Sequence, residues 1–225
     1  MVRASGLRAV VRASSLPRAA VETLDRVVAS VGNTAITASD VEDEYRLELV
    51  LEGKDPSGPD PEAATLNGVR DRLIDRILLD EEVQAGQIKV SAHDQTVTDR
   101  LQAVRRKFPG EESFQGTLRA LGLDEQELRE KLAQEEATLR LIDQRLRPVA
   151  TVEPAAIETY YRDTLLPELG RQGQKPPPAL DEVRDRIREI LVQQKINQLL
   201  AAWLQTLRAR REVRLHGSAE AGSAP

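Results

Sequence analysis

Carboxylates in consecutive positions are the side chains of this sequence that come closest to a catalytic pattern. Asp80, Glu81 and Glu82 follow one another, and Glu135 is followed by Glu136. Two carboxyl groups can act as general acid and base when their surroundings separate their pKa values. Here arginine and lysine stand three or four residues away, which is the spacing of helical ion pairs. The pattern therefore predicts a solvated, ion-paired face, and we expect no catalytic residues and no enzyme.

Cysteine and histidine offer no better site. The chain has no cysteine, which excludes disulfides, a thiolate nucleophile and a cysteine metal site, and which is compatible with an oxidising compartment. The two histidines, His93 and His216, lie far apart and are interpreted as solvent-facing side chains. The glycine spacings lack the Lys-Ser/Thr pair of a phosphate-binding loop. We expect no metal and no cofactor.

Charge argues against nucleic acid as a partner. The net charge is −5, and residues 1–20 contain four arginines and no acid, so the rest of the chain is more acidic still. The last predicted helix is rich in arginine, but its first arginines alternate with aspartate and glutamate, which largely cancels their field. Phosphate binding needs clustered basic side chains. The arginines between residues 208 and 214 remain open to a chain terminus or an acidic partner.

Hydrophobic periodicity predicts a mainly α-helical chain with a small antiparallel sheet. The sheet consists of a hairpin, VASVGNTAIT at residues 28–37, and a strand around Val213 near the other end of the chain. A two-stranded hairpin is marginal in water by itself, so the late strand is expected to pair with it. Gly32 suits a type II′ turn, whose register places these residues on one face: Val27, Ala29, Val31, Thr34 and Ile36.

Helices are expected over about residues 40–52, 62–85, 91–108, 112–121, 125–147, 154–164 and 180–210. Capping boxes are predicted at Ser39 with Glu42 and at Asp124 with Glu127, and a left-handed glycine cap at Gly86. In the helix at 125–147 the side chains expected to face inward are Leu128, Leu132, Leu139, Ile142 and Leu146.

The two ends of the chain differ in character from the rest. Residues 1–24 carry an arginine every few positions and lack the apolar centre of a signal peptide. A disordered leader, a misassigned start and a replaced signal are open interpretations, of which we favour a poorly ordered leader; residues 217–225 are expected to be a disordered tail. No stretch approaches the ~20 apolar residues of a membrane span.

Four stretches in order resemble the SurA-type periplasmic chaperones and their parvulin-linked relatives. DRVVASVGNTAITASDVEDEY (25–45) resembles the opening strands and capped helix of that family, and residues 73–108 resemble its next helical run. Residues 114–161 are similar to the following element, which ends in Tyr-Tyr, and residues 180–215 to the closing helix and strand with its Trp-Leu pair. The resemblance covers about residues 25–215 and implies a helical chaperone core.

One departure from the family pattern changes the expected activity. Typical members carry parvulin prolyl-isomerase domains between the Tyr-Tyr helix and the closing helix, and such a domain needs on the order of 90–100 residues. Here only 18 residues, 162–179, lie in that interval. The resemblance therefore implies an N-terminal chaperone region at 25–165, a linker at 166–179 in place of the isomerase domain, and a closing helix and strand at 180–216.

By this resemblance the chain is an ATP-independent periplasmic holdase for unfolded or outer-membrane-bound polypeptides, without isomerase activity. A helical adaptor that binds one folded partner in the cell envelope is the alternative. Because proteins of this fold can exchange elements between chains, the long closing helix after a linker permits a domain-swapped homodimer.

Six apolar side chains near breaks in the helical pattern are the candidate client contacts: Phe108, Phe114, Tyr160, Tyr161, Leu165 and Leu166. The two phenylalanines flank a Pro-Gly turn and are core candidates first. At least one of the two tyrosines is also expected to pack inside the protein.

Overall fold

The computed structural model describes residues 25–171, 173 and 176–216. The expected leader at 1–24 and the expected tail at 217–225 lie outside the described residues. Within them, the prediction of a mainly α-helical fold with a small antiparallel sheet is confirmed.

Along the chain, the helices lie between two strands near the start and one strand near the end, and these three strands form one sheet. The strands are β1 (Val27–Val31), β2 (Thr34–Thr37) and β3 (Val213–Leu215). The helices are α1 (Ala38–Glu52), α2 (Ala63–Ala85), α3 (Gln95–Arg105), α4 (Glu111–Ala120), α5 (Glu125–Leu146), α6 (Pro154–Tyr160), α7 (Leu166–Arg171) and α8 (Leu180–Arg210). A 3₁₀ turn at Arg147–Val149 follows α5, and a π-helical turn at Tyr161–Leu165 joins α6 to α7.

The sheet has the strand order β2-β1-β3, which confirms the predicted pairing of the chain's distant ends. Val31 pairs with both Thr34 and Val213, and Gly32 between β1 and β2 has a φ of 54°. The predicted face is only partly correct. The register shifts between Val27 and Ala29, so Val27 is 39% exposed, whereas Ala29, Val31 and Ile36 are buried.

Helix starts and ends depart from the sequence prediction at three places. The capping box of α1 is formed by Thr37 and Asp40, so the predicted box at Ser39 is wrong, and Ser39 instead donates to Asp25. Gly86 is right-handed with a φ of −77°, so the predicted left-handed cap at Gly86 is wrong, and the positive φ is found at Gln87 instead. The third helix starts four residues later than predicted, because Asp94 caps it by accepting from the backbone N–H of Thr96.

Two main clusters of buried side chains form the core. One joins the end of α1 to α3, α4 and the first half of α5, with Phe114 and Leu128 fully buried. The other joins the sheet to α1, α2 and the last turns of α8, where Leu207 is buried. The long final helix therefore returns the chain to its beginning, as expected from the position of β3.

Helix α5 buries a different stripe from the one predicted. Leu128, Leu132 and Leu146 are buried as expected, but Ala133, Ala137 and Leu141 complete the stripe. The sequence pattern missed the two alanines because small side chains do not stand out among leucines. As a consequence Leu139, predicted to face inward, is 52% exposed.

The segment predicted to be a linker begins as helix. Residues 166–171 form α7 and continue the helical path of α6 through the π-helical turn. Helix α6 packs against α8, where Ile157 and Ile187 are both buried. The division of the chain at 165 and 180 stays a prediction.

Candidate functional site

The first of three connected grooves lies between α2 and α5 and has a volume of about 520 Å³. We call it the α2–α5 groove. Its apolar side chains are Leu47, Leu79 and Leu139, and charged side chains from α2, α3 and α5 surround them. It is lined by Leu47, Arg72, Asp75, Arg76, Leu79, Asp80, Arg100, Lys131, Gln134, Glu135, Thr138 and Leu139.

The second groove, the α5–α8 groove, lies on the other side of Leu139 and has a volume of about 460 Å³. It is lined by Glu136, Leu139, Arg140, Ile142, Asp143, Gln144, Arg147, Gln193 and Ile196. Leu139 thus stands between two grooves with half of its surface exposed. From Lys131 on α5 to Arg147, the first residue after this helix, the chain extends about 24 Å at 1.5 Å per residue, which matches about seven residues of extended polypeptide.

The third groove, the β2–α1 groove, adjoins the first and has a volume of about 470 Å³. It shares Leu47, Arg76 and Lys131 with the α2–α5 groove. Its other lining residues are Thr34, Ala35, Ile36, Asp40, Asp43, Glu44, Leu73, Ile77, Leu121 and Leu123.

A network of ion pairs fixes the positions of the helices around the first groove. Glu44 is only 7% exposed, and its carboxylate accepts a hydrogen bond of 2.6 Å from Arg76. Arg76 also lies 4.0 Å from Glu135, which pairs with Arg100. Breaking a pair of this kind leaves a buried charge without compensation, which is strongly destabilising. The network therefore links α1, α2, α3 and α5 around the groove.

The carboxylates singled out in the sequence are indeed ion-paired, with one exception. Glu81 pairs with Arg211 at 2.7 Å, Glu82 with Arg145 at 3.2 Å, Glu135 with Arg100, and Glu136 with Arg140 at 3.1 Å. Only the last of these pairs has the predicted helical spacing. The others join different elements, so their spacing in the sequence gave no indication of their partners.

The exception is Asp80, which forms no ion pair with any residue that the structure describes. Its carboxylate accepts a hydrogen bond of 2.9 Å from the side-chain amide of Gln134. Burial between α2 and α5 raises the pKa of Asp80, and the hydrogen bond from Gln134 and the charge of Arg76 oppose that rise. The surroundings of Asp80 suit a structural role in the groove wall.

Lys131 is the cation of the grooves that has no protein partner. It forms no hydrogen bond or ion pair with the described part of the chain, whereas Arg72, Arg76 and Arg100 each bond to a carboxylate. Since Lys131 lines both the first and the third groove, it can meet a carboxylate of a bound molecule. The described residues contain no group of three or more histidine, cysteine, aspartate or glutamate side chains that could hold a metal ion.

The six residues predicted as client contacts lie elsewhere. Phe114 is fully buried, with its ring 5.5 Å from that of Phe108 and with Arg105 over its face at 5.3 Å. Phe108 is partly buried against the same cluster. Both phenylalanines thus act as core residues, and Phe114 has no surface that a client can reach. The core alternative is confirmed for Phe114, and a client contact of Phe108 stays a prediction.

The tyrosines and leucines of the second group lie around the π-helical turn. Tyr161 is partly buried, and its hydroxyl donates a hydrogen bond of 2.8 Å to the backbone carbonyl of Pro178. This bond ties the turn to the segment before α8. Tyr160, Leu165 and Leu166 are half-buried. None of the four lines any of the three grooves, and their contact with a client stays a prediction.

Sequence reasoning missed Leu139, although one signal was present. Leu139 and Leu141 are two residues apart in a helix, so they cannot both lie on one face. The alanines at 133 and 137 lie on the same face of α5 as Leu141. Because this face is buried, Leu139 is left on the exposed side of the helix.

Comparison with known families agrees with this architecture. The family model of the SurA-like N-terminal domain matches residues 10–142, which is more than half of the chain. The chain therefore belongs to the SurA-like family, a chaperone-related family of which this domain is the non-catalytic part. The first and third grooves lie wholly within the matched range. A search of curated proteins found no match. Among the described helices, none combines the length and the apolar character needed to cross a membrane.

Proposed function

We propose that this protein is an ATP-independent periplasmic holdase, which binds unfolded or outer-membrane-bound polypeptides and catalyses no prolyl isomerisation. The α2–α5 and α5–α8 grooves are the proposed client site. The observation that carries the proposal is the half-exposed Leu139 between them, in a chain of the SurA-like family. An apolar contact surrounded by charge suits weak binding of many sequences, because it favours burial of apolar side chains while the rim keeps the complex soluble.

The site demands little of a client beyond apolar side chains. Leu139 is the exposed apolar side chain that lines both grooves, whereas Leu47, Leu79 and Ile196 also line them but are buried, and Ile142 is partly buried. Lys131 adds one cation without a partner among the described residues. An extended segment with spaced apolar residues therefore has contacts along about 24 Å of α5. Binding and release need no nucleotide, metal or covalent step.

The test compares two exposed apolar side chains of which only one lies at the grooves. Leu139→Ser removes the proposed contact, and Val149→Ser, at a residue 59% exposed and outside both grooves, is the control. Burying the free half of Leu139 is worth about 1 kcal/mol, which corresponds to about fivefold in Kd. We expect Leu139→Ser to bind reduced, carboxymethylated lactalbumin about fivefold more weakly, and Val149→Ser to bind it like the unaltered protein.

Aggregation assays separate the holdase from the adaptor. A holdase at near-stoichiometric ratio suppresses aggregation of several unrelated unfolded proteins, and Leu139→Ser weakens that suppression. One tight folded partner with no general suppression would instead establish the adaptor. Equal losses in Leu139→Ser and Val149→Ser would remove the grooves as the client site.

Absence of isomerase activity is tested separately. With a chromogenic Xaa-Pro peptide, we expect the cis–trans exchange rate with the protein to equal the uncatalysed rate, which is slow. A rate that rises in proportion to protein concentration would contradict this part of the proposal.

A further inference from the structure

Lys131 on α5 is a cation to which the described chain supplies no partner, although two carboxylates stand at the right spacing. Its side chain is exposed and lines both the α2–α5 groove and the β2–α1 groove. On a helix, a carboxylate four residues away is a common partner of a lysine. Lys131 has one such residue on each side, Glu127 and Glu135.

Both of these carboxylates are held by other groups. Glu127 closes the capping box of α5, where it accepts a hydrogen bond of 2.7 Å from the backbone N–H of Asp124. Glu135 pairs with Arg100 on α3. Because its two helical neighbours are engaged in this way, Lys131 keeps its charge available to a bound molecule.

The other acids of the α2–α5 groove are also satisfied by the protein. Asp75 accepts a hydrogen bond of 2.7 Å from Arg208, and Asp80 accepts one of 2.9 Å from Gln134. The three arginines that line this groove each bond to a carboxylate. The ammonium group of Lys131 is therefore the charged group of this groove that has no hydrogen-bond or ion-pair partner among the described residues.

The distance from Lys131 to Leu139 matches a spacing in extended polypeptide. Leu139 lies eight residues after Lys131 and lines the same groove, and eight residues of α-helix rise about 12 Å. In an extended chain, residues four apart lie on the same face and are separated by about 13 Å. A client segment that lies extended along α5 can thus place a carboxylate at Lys131 and an apolar side chain at Leu139 at the same time.

We propose that the α2–α5 groove prefers client segments in which an aspartate or glutamate stands four residues from a large apolar residue. Lys131 binds the carboxylate, and Leu139 contacts the apolar side chain. This preference rests on the proposed function, because it assumes that clients bind in this groove. Exposed charge pairs contribute little, so the preference amounts to about threefold in Kd within a broad set of clients, and high salt weakens it.

Two peptides of identical composition test the spacing. Both have blocked ends, a fluorescent label and a central leucine among serines and threonines. One carries aspartates four residues before and after the leucine, which puts all three side chains on one face of an extended chain in either chain direction. The other carries the aspartates three residues before and after, on the opposite face. By fluorescence anisotropy we expect the first peptide to bind about threefold more tightly, and equal affinities would overturn the proposal.

Substitutions at Lys131 test the residue. Lys131→Gln should abolish the difference between the two peptides, whereas Lys89→Gln should retain it. Lys89 is the matched control, because it is also exposed, its side chain has no partner in the described part of the chain, and it lines none of the three grooves. Lys131→Glu should instead favour the peptide in which lysines replace the aspartates at the four-residue spacing. A difference that persists in Lys131→Gln would remove Lys131 from this role.

A failure of this preference can be told apart from a failure of the proposed function. Leu139→Ser should weaken both peptides by a similar factor, because it removes the apolar contact that they share. If Leu139→Ser weakens both peptides while Lys131→Gln leaves their affinities unchanged, the client site stands and the preference for a carboxylate is overturned. If neither peptide binds, or if Leu139→Ser changes neither affinity, the client site fails and the preference fails with it.

Discussion

At the scale of the residue, tertiary packing decides which charged side chains of this protein form ion pairs. Glu44 is buried against Arg76, and Glu135 joins two arginines from different helices. Asp80 lies in the same groove wall, but its hydrogen bonds come from the neutral side chains of Gln134 and Thr138. Desolvation without a matching ion pair disfavours the ionised form. Burial therefore works against the negative charge of Asp80 in the folded protein.

The raised pKa of Asp80 makes stability depend on pH. The folded state favours the protonated acid, so this group's contribution to stability is present below the unfolded pKa, near 3.8, and is lost as pH rises through the folded value. Asp80→Asn should keep the bond to Gln134 and raise the free energy of unfolding at pH 7 relative to the unaltered protein. That difference should shrink below pH 3.8.

Asp99→Asn serves as the control for this measurement. Asp99 is exposed and accepts a hydrogen bond of 2.8 Å from Gln95, so it shares the partner type of Asp80 without the burial. Urea titrations at a series of pH values give the free energies. A stabilisation of the same size in Asp99→Asn, or a destabilisation in Asp80→Asn at pH 7, would contradict the role assigned to burial.

At the scale of the element, helix α5 carries most of the proposed site, and its start is well defined. Asp124 accepts from the backbone N–H of Glu127 at 2.8 Å, and the Glu127 carboxylate accepts from the backbone N–H of Asp124 at 2.7 Å. This confirms the predicted capping box. Two donors that a helix otherwise leaves without partners are thereby satisfied, so the start of α5 is fixed at this position.

Removing this cap should weaken the whole protein. Asp124→Ala loses the side-chain acceptor and should lower the free energy of unfolding by about 1 kcal/mol, whereas Asp124→Asn, which can still cap, should lower it by a few tenths of that. Urea unfolding followed by circular dichroism measures both. Equal losses in the two variants would show that the negative charge at this end of the helix matters, and not the hydrogen bond.

At the scale of the whole molecule, Trp203 on α8 joins parts of the chain that are far apart in sequence. It packs against the sheet cluster, against the cluster around Val83 and Leu141, and against that around Leu146 and Ile196. The guanidinium of Arg145 lies over its ring at 4.3 Å, a cation–π contact. Because one side chain contacts three clusters, α8 is expected to unfold together with the rest of the described chain.

Replacing this side chain tests the connection. Trp203→Ala should lower the free energy of unfolding by about 3 kcal/mol, and Trp203→Phe, which keeps an aromatic ring, by about half as much. Trp203 is the only tryptophan, so in the unaltered protein its fluorescence and the helical circular dichroism signal should change at the same urea concentration. Separate transitions would mean that α8 unfolds independently.

Much of the secondary structure and one long-range feature were predictable from sequence because their signals are local. The bounds of α8, the box at Asp124 and the alternation around Val213 each follow from a few neighbouring residues. The pairing of β3 with β1 was also predictable, since a hairpin needs a further strand and the chain offers one other candidate. The cap of α1 was not predictable from the sequence. Thr37 and Ser39 are both good caps, and only the tertiary contact of Ser39 with Asp25 shows that Ser39 is not the cap.

The proposed client site could not be predicted from the sequence. The sequence by itself determined the helical class, the sheet that joins the two ends, the absence of cysteine chemistry and the acidic body with its basic leader. Only the tertiary structure decided which apolar side chains remain exposed, because burial depends on which face of a helix its neighbours cover. Ala133 and Ala137 allow close approach of α5 and its neighbours, so Leu141 is buried and Leu139 is left between two grooves.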